Sequence, residues 1–218
     1  MCISLCLNDN ISIKHGEDME RIIENLVDVM IERDIIDSKY KDEYIYSAIC
    51  LIEKLFSVVL VLAMGLFFKR MLDVVLFFSF FMFLRKYTGG YHANSFFICT
   101  IESTMVVYCV LKYGYLLLDY PNIVIVMLIS CFFIILLIGT VNHPNMNLNE
   151  CELKRMKVRA RLILISEILI IVVAYVMSVP KRYILDMILG ITVCGISIMI
   201  SKIIKQEVQS CERKRKQN

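Results

Sequence analysis

The chain has 218 residues and contains no Trp, three Pro and three His. Its nine Cys include no CxxC pair and no Cys/His group at zinc-finger spacing, so no metal site and no cofactor are expected. The first apolar stretch, Cys2 to Leu7, is too short for a cleavable signal peptide and acidic residues follow it, so none is expected. A net charge of +3 supplies no basic field for nucleic acid, and no such partner is expected. No internal repeat or low-complexity linker divides the chain, which reads as a single domain over residues 1–218.

What is abundant is apolar sequence. The chain is 58% hydrophobic, against about 45–50% in soluble domains, and the excess gathers in long runs. The expected fold is all-α, a polytopic integral membrane bundle of about six segments. These are placed at about 47–68, 71–84, 95–111, 122–141, 162–179 and 183–201. A crossing needs about 20 residues, roughly 17 as a lower limit. The second segment, which holds Asp73, is shorter than that; it is re-entrant, tilted in a thinned bilayer, or lengthened by its flanks. Pro121 and Pro180 mark turns between segments.

Ahead of the bundle, residues 17–33 read as an amphipathic helix. Met19, Ile22, Ile23, Leu26, Val27 and Met30 repeat at helical spacing, with Glu and Arg opposite. Such a helix either lies on the membrane or packs under the bundle. The chain therefore divides into an N-terminal region 1–46, a transmembrane bundle 47–201 and a basic tail 202–218, the tail suited to anionic lipid. With the N-terminus inside, only Lys69, Arg70, Lys112, Lys181 and Arg182 fall outside. Lys54 falls within a segment, and every other Lys and Arg falls inside. That bias predicts cytosolic termini and a cytosolic loop around His92 in a bacterial plasma membrane. The cluster Lys154 to Arg161 is read as a cytosolic charged loop.

Between the second and third segments lies a polar island, Arg85-Lys-Tyr-Thr-Gly-Gly-Tyr-His92-Ala-Asn-Ser-Phe-Phe-Ile-Cys99. A thiol and an imidazole are the parts of an activated nucleophile and its base. Seven residues of unbroken helix would hold His92 and Cys99 about 10.5 Å apart, too far for a direct bond. Gly89 and Gly90 permit a turn, and Asn94 and Ser95 suit a helix N-cap, so a loop through His92 and a helix from about Asn94 or Ser95 are predicted. Cys99 then falls in the first turns of that helix, where free amides and the helix dipole favour a thiolate. Glu102 stands one turn further on the same face. It either orients His92 or binds substrate, or it is an interfacial charge beside Arg85. Arg85 itself could hold a substrate carboxylate, support an oxyanion, or snorkel to the interface. Spacing alone does not separate catalysis from chance in a chain with nine Cys.

The pattern Arg85-x6-His92-x6-Cys99, with Gly90 before the His, Ala93 after it and Glu102-Ser103 after the Cys, resembles the accessory gene regulator B (AgrB) family of membrane cysteine endopeptidases. The resemblance extends over most of the chain. Asn142-His-Pro-Asn145 with Lys154-Arg155 is similar to the family's connector, although a second Pro is missing. The resemblance implies Cys99 as nucleophile, His92 as base, and Arg85 and Gly90 as positions an active site needs. It also implies a homodimer, although no GxxxG face occurs in the segments. The implied substrate is an AgrD-type quorum-sensing propeptide, with an amphipathic leader, an internal Cys or Ser, and an acidic tail. Cleavage before that tail would leave a thioester on Cys99, which the internal Cys would close to a thiolactone. Lys154, Arg155 and Lys157 are candidates to receive the tail, with solvated positive-inside charge as the plainer reading. Rival readings are a protease that does not cyclise and a non-catalytic transporter or scaffold, for which Asp73, Glu102 and Glu167 would mark a pathway.

Overall fold

Each of the six apolar stretches falls on a helix. The computed structural model describes residues 14–33, 35–91, 96–142 and 150–204. Its helices are α1 (Lys14–Glu32), α2 (Lys41–Phe67), α3 (Met71–Thr88), α4 (Phe96–Tyr113), α5 (Pro121–Ile138), α6 (Glu150–Val176) and α7 (Lys181–Ile203). Two 3-10 turns, Ser38–Tyr40 and Gly114–Asp119, complete the set, and no strand occurs among the described residues. The molecule is an all-α helical membrane bundle. Three stretches are long and apolar enough to cross a bilayer by themselves: Ile98–Asp119, Pro121–Ile138 and Lys181–Ile203. Charge breaks the apolar windows of the others, at Asp73, Arg85 and Lys86 in α3 and at Arg159, Arg161 and Glu167 in α6.

The short second segment is lengthened by its flank. α3 runs on to Thr88, which gives 18 residues and about 27 Å. It can carry charge because it is an interior helix, packed by α7, α6 and α2, with Asp73 and Arg85 both buried. α7 is the central helix and is buried from Ile184 to Ser201 along the face it turns to α3 and α5. At Gly190 the backbones of α7 and α3 nearly touch. A Cβ there would stand 2.7 Å from the Phe77 carbonyl oxygen and 3.0 Å from Phe81 N. Leu84, Ile135, Leu164, Ile191 and Ile198 fill the core around this contact, all fully buried.

The sequence reading of a charged loop at Lys154 to Arg161 is corrected: these residues form the first turns of α6. From Glu150 to Val176 there is no Gly or Pro, and Lys, Arg, Met, Leu and Glu are strong helix formers. Glu150 and Glu152 in the first turn complement the helix dipole. The amphipathic α1 packs against the start of the bundle. Ile23 and Val27 pack on Ile49 of α2, while Ile22, Leu26 and Val29 stay exposed on a neighbouring stripe. Lys41, at the start of α2, ties the pair together through Asp28 at 2.6 Å and Glu24 at 3.5 Å. The hydrogen bond to Asp28 raises the Lys41 pKa above the usual Lys range.

At the end of the bundle where α3 begins, Asp73 is 1% exposed and accepts hydrogen bonds from Arg70 and from Arg182 (Nε at 2.9 Å). Arg70 also donates to the Leu111 carbonyl, so one carboxylate fastens α3, α4 and α7. Removing it leaves two guanidinium groups without that partner. Asp73→Ala is expected to cost about 3 kcal/mol, the low end for breaking a buried pair, because Arg182 is 44% exposed and can hydrate. A thermal unfolding midpoint in detergent unchanged from wild type would contradict the assignment, and Asp73→Asn should lose less.

Candidate active site

α3 ends at Thr88, with Gly89 as its C-cap, and α4 spans Phe96–Tyr113. His92, Asn94, Ser95, the connector residues 143–149 and the tail 205–218 lie outside the described residues. The C-terminal end of α3 is held by short polar struts. Thr140 Oγ1 donates to the Tyr87 carbonyl at 2.8 Å, and Val141 N donates to the Thr88 carbonyl at 2.9 Å. Thr88 is fully buried, and its hydroxyl lies 3.2 Å from Cys194 Sγ on α7. The end of α5 and the middle of α7 thereby fix where α3 stops.

Past that stop the chain turns under the Arg85 side chain. Nη1 donates to the Gly89 carbonyl and to Ser197 Oγ of α7, the latter at 2.8 Å, and Nη2 donates to the Tyr91 carbonyl. Tyr91 N donates to the Ser197 carbonyl at 3.1 Å and to Ser197 Oγ at 3.2 Å. Gly90 has φ +124°, and the guanidinium occupies the space its side chain would take: a Cβ would stand 1.8 Å from Nη1. Arg85 is 7% exposed, so these charge-assisted bonds are sheltered from water.

The turn closes one end of a cavity of about 550 Å³. Arg85, Tyr91, Cys99, Glu102, Ser103 and Ser197 supply its polar lining. Val61 of α2, Phe77 and Phe81 of α3, Val106 of α4, and Val193 and Ile200 of α7 are among its apolar walls. Three of the residues singled out from sequence, Arg85, Cys99 and Glu102, thus share one cavity, and Gly90 stands behind Arg85. His92 follows Tyr91, whose backbone the Arg85–Ser197 pair holds. Cys99 is a thiol, buried in the fourth position of α4, where the helix dipole favours negative charge. Glu102, one turn on, is exposed.

Lys154, Arg155 and Lys157 are not among the described residues lining this cavity. They sit at the start of α6, where the Lys157 stem packs against Gly139. No group of three or more His, Cys, Asp or Glu that could hold a metal ion occurs among the described residues. Ser197 is the site residue that the sequence did not single out. One signal was available: it is a polar residue one helical turn from Val193 and Ile200 on the same stripe.

No solved structure matches the chain. An AgrB-like protein of Clostridium perfringens (strain SM101, type A) is 30% identical over 191 residues, covering 78% of this chain and 88% of the relative. AgrB-like protein 2 of Clostridium perfringens (strain 13, type A) is 27% identical over the same length and coverage. The family profile described as accessory gene regulator B matches residues 21–204, which takes in α2 to α7 and the whole cavity. The chain belongs to the accessory gene regulator B family.

Proposed function

We propose that this membrane protein is a cysteine endopeptidase and peptide cyclase acting on an AgrD-like propeptide. One observation carries the reading: Cys99 and Arg85 line a single cavity at the point where the chain enters the segment bearing His92. In this reading His92 takes the proton of Cys99. The thiolate attacks the carbonyl before the propeptide's acidic tail. The C–N bond breaks, the tail departs as an amine carrying the imidazolium proton, and an acyl thioester remains on Cys99. The peptide's internal thiol then exchanges with that thioester and closes a thiolactone, with no need for ATP. An internal Ser would give a lactone.

Water is the competing nucleophile and would yield a linear acid. The apolar walls Phe77, Phe81, Val106 and Val193 limit water at the thioester, and the tethered thiol acts at high effective concentration. Mass spectrometry of the propeptide after co-expression with the wild-type protein tests the reading. The expected product lacks the tail and is lighter than the linear acid by one water. A linear acid as sole product would reduce the function to proteolysis, and intact propeptide would favour a transport or scaffold role.

A further inference from the structure

We propose that Ser197 is a positioning residue of this active site, acting through the Arg85 guanidinium and the Tyr91 backbone; this rests on the function proposed above. Ser197 sits on α7, a sequence separation of 112 from Arg85 and 106 from Tyr91, and it is the point where the two meet. Its hydroxyl oxygen accepts from Arg85 Nη1 at 2.8 Å and from Tyr91 N at 3.2 Å, which uses both acceptor positions of a hydroxyl. Its carbonyl takes the same Tyr91 N–H at 3.1 Å. The residue after Tyr91 is His92, so this serine shares with Arg85 the hold on the backbone just before the proposed base. Arg85 is correspondingly engaged with the protein's own backbone. Its bonds to Gly89 and Tyr91 bracket Gly90, and Ser197 holds Nη1 in the space that Gly90 leaves open.

The burial pattern supports a dedicated polar contact. The same stripe of α7 presents Val193 and Ile200 to the cavity. An alanine would complete the apolar wall. A serine interrupts it at the height of Arg85.

Ser197→Ala removes the hydroxyl and leaves the Ser197 carbonyl and the Gly89 contact in place. The turn should therefore loosen without opening. Propeptide cleavage in membranes is expected to fall on the order of tenfold to a hundredfold in kcat, the range for one lost hydrogen bond to a charged group, with KM within about twofold. Cys99 alkylation by iodoacetamide, read by peptide mapping with no propeptide present, should slow in parallel. Ser197→Thr, which keeps the hydroxyl, should retain most of both. If Ser197→Ala does not accumulate, Ser197→Cys, nearly isosteric but a weak acceptor, reads the same kcat and KM.

A raised KM with unchanged Cys99 alkylation would overturn the proposal and make Ser197 a peptide contact. Wild-type values throughout would leave it a wall residue. Cleavage that survives Cys99→Ala would instead overturn the proposed function, independently of what Ser197 does.

Discussion

Cys99→Ala is expected to leave the propeptide at full length, with no detectable tail removal. The substitution deletes the atom that would carry the acyl group, and among the described cysteines no other lines the cavity. Cys131 and Cys194 are buried against α7 and the end of α3, and Cys109 and Cys151 are exposed on other surfaces. The loss should be chemical. Cys99 lines an existing cavity, so a methyl group in its place adds no clash, and the effect on stability should stay below about 1 kcal/mol. Cys99→Ser keeps the shape but not an ionisable thiol and should be nearly as inactive. Cys109→Ala and Cys151→Ala serve as controls and should cleave normally. Immunoblotting for a tagged propeptide tail in isolated membranes separates these outcomes, and substantial cleavage by Cys99→Ala would remove this residue from the chemistry.

Gly90→Ala should lower cleavage by at least about a hundredfold while the bundle stays folded. The added Cβ would lie 1.8 Å from Arg85 Nη1 and 3.0 Å from Ser197 Oγ, at a φ of +124° that side chains rarely adopt. The flexible Arg85 side chain is the group that can yield. When it leaves, the Gly89 carbonyl, the Tyr91 carbonyl and Ser197 Oγ each lose a charged donor. Each such bond contributes on the order of 1.5–3 kcal/mol, and losing more than one exceeds the roughly 2.8 kcal/mol that a hundredfold change in rate requires. The lost bonds, together with about 1–3 kcal/mol of backbone strain, also lower the stability of the fold. Cleavage rate and thermal unfolding measured on the same preparation separate the two effects. A variant that unfolds without a selective loss of rate, or one that cleaves normally, would contradict the clamp as described.

The sequence carried the helices because each is written twice, once in apolar runs and once in its ends. Pro121 at the first position of α5 and Gly89 past the end of α3 are local signals that need no partner. The polar island was legible for the same reason, being a short charged stretch between apolar ones. The connections made across the fold were not legible. Asp73 meets Arg182 and Arg85 meets Ser197 across more than a hundred residues of chain, and nothing local marks either pair. Ser130, Ser166 and Ser197 look alike in sequence, yet Ser166 bonds to the Ile163 carbonyl of its own helix whereas Ser197 receives Arg85. In the structure Arg85 donates to the Gly89 and Tyr91 carbonyls and to Ser197 Oγ. The start of α6 was misread because a cluster of cations looks like a loop when only topology is considered. Helix propensity alone, from Glu150 onward, would have corrected it.

The thioester is the step on which the account turns, and it can be caught. A propeptide whose internal Cys is replaced by Ala lacks the nucleophile that closes the ring, so the acyl group should accumulate on the protein. Intact-mass and peptide-mapping spectrometry after brief incubation should then find the peptide, without its tail, joined to Cys99 and released by hydroxylamine. Tail removal with no adduct at Cys99, or an adduct on another residue, would contradict the account.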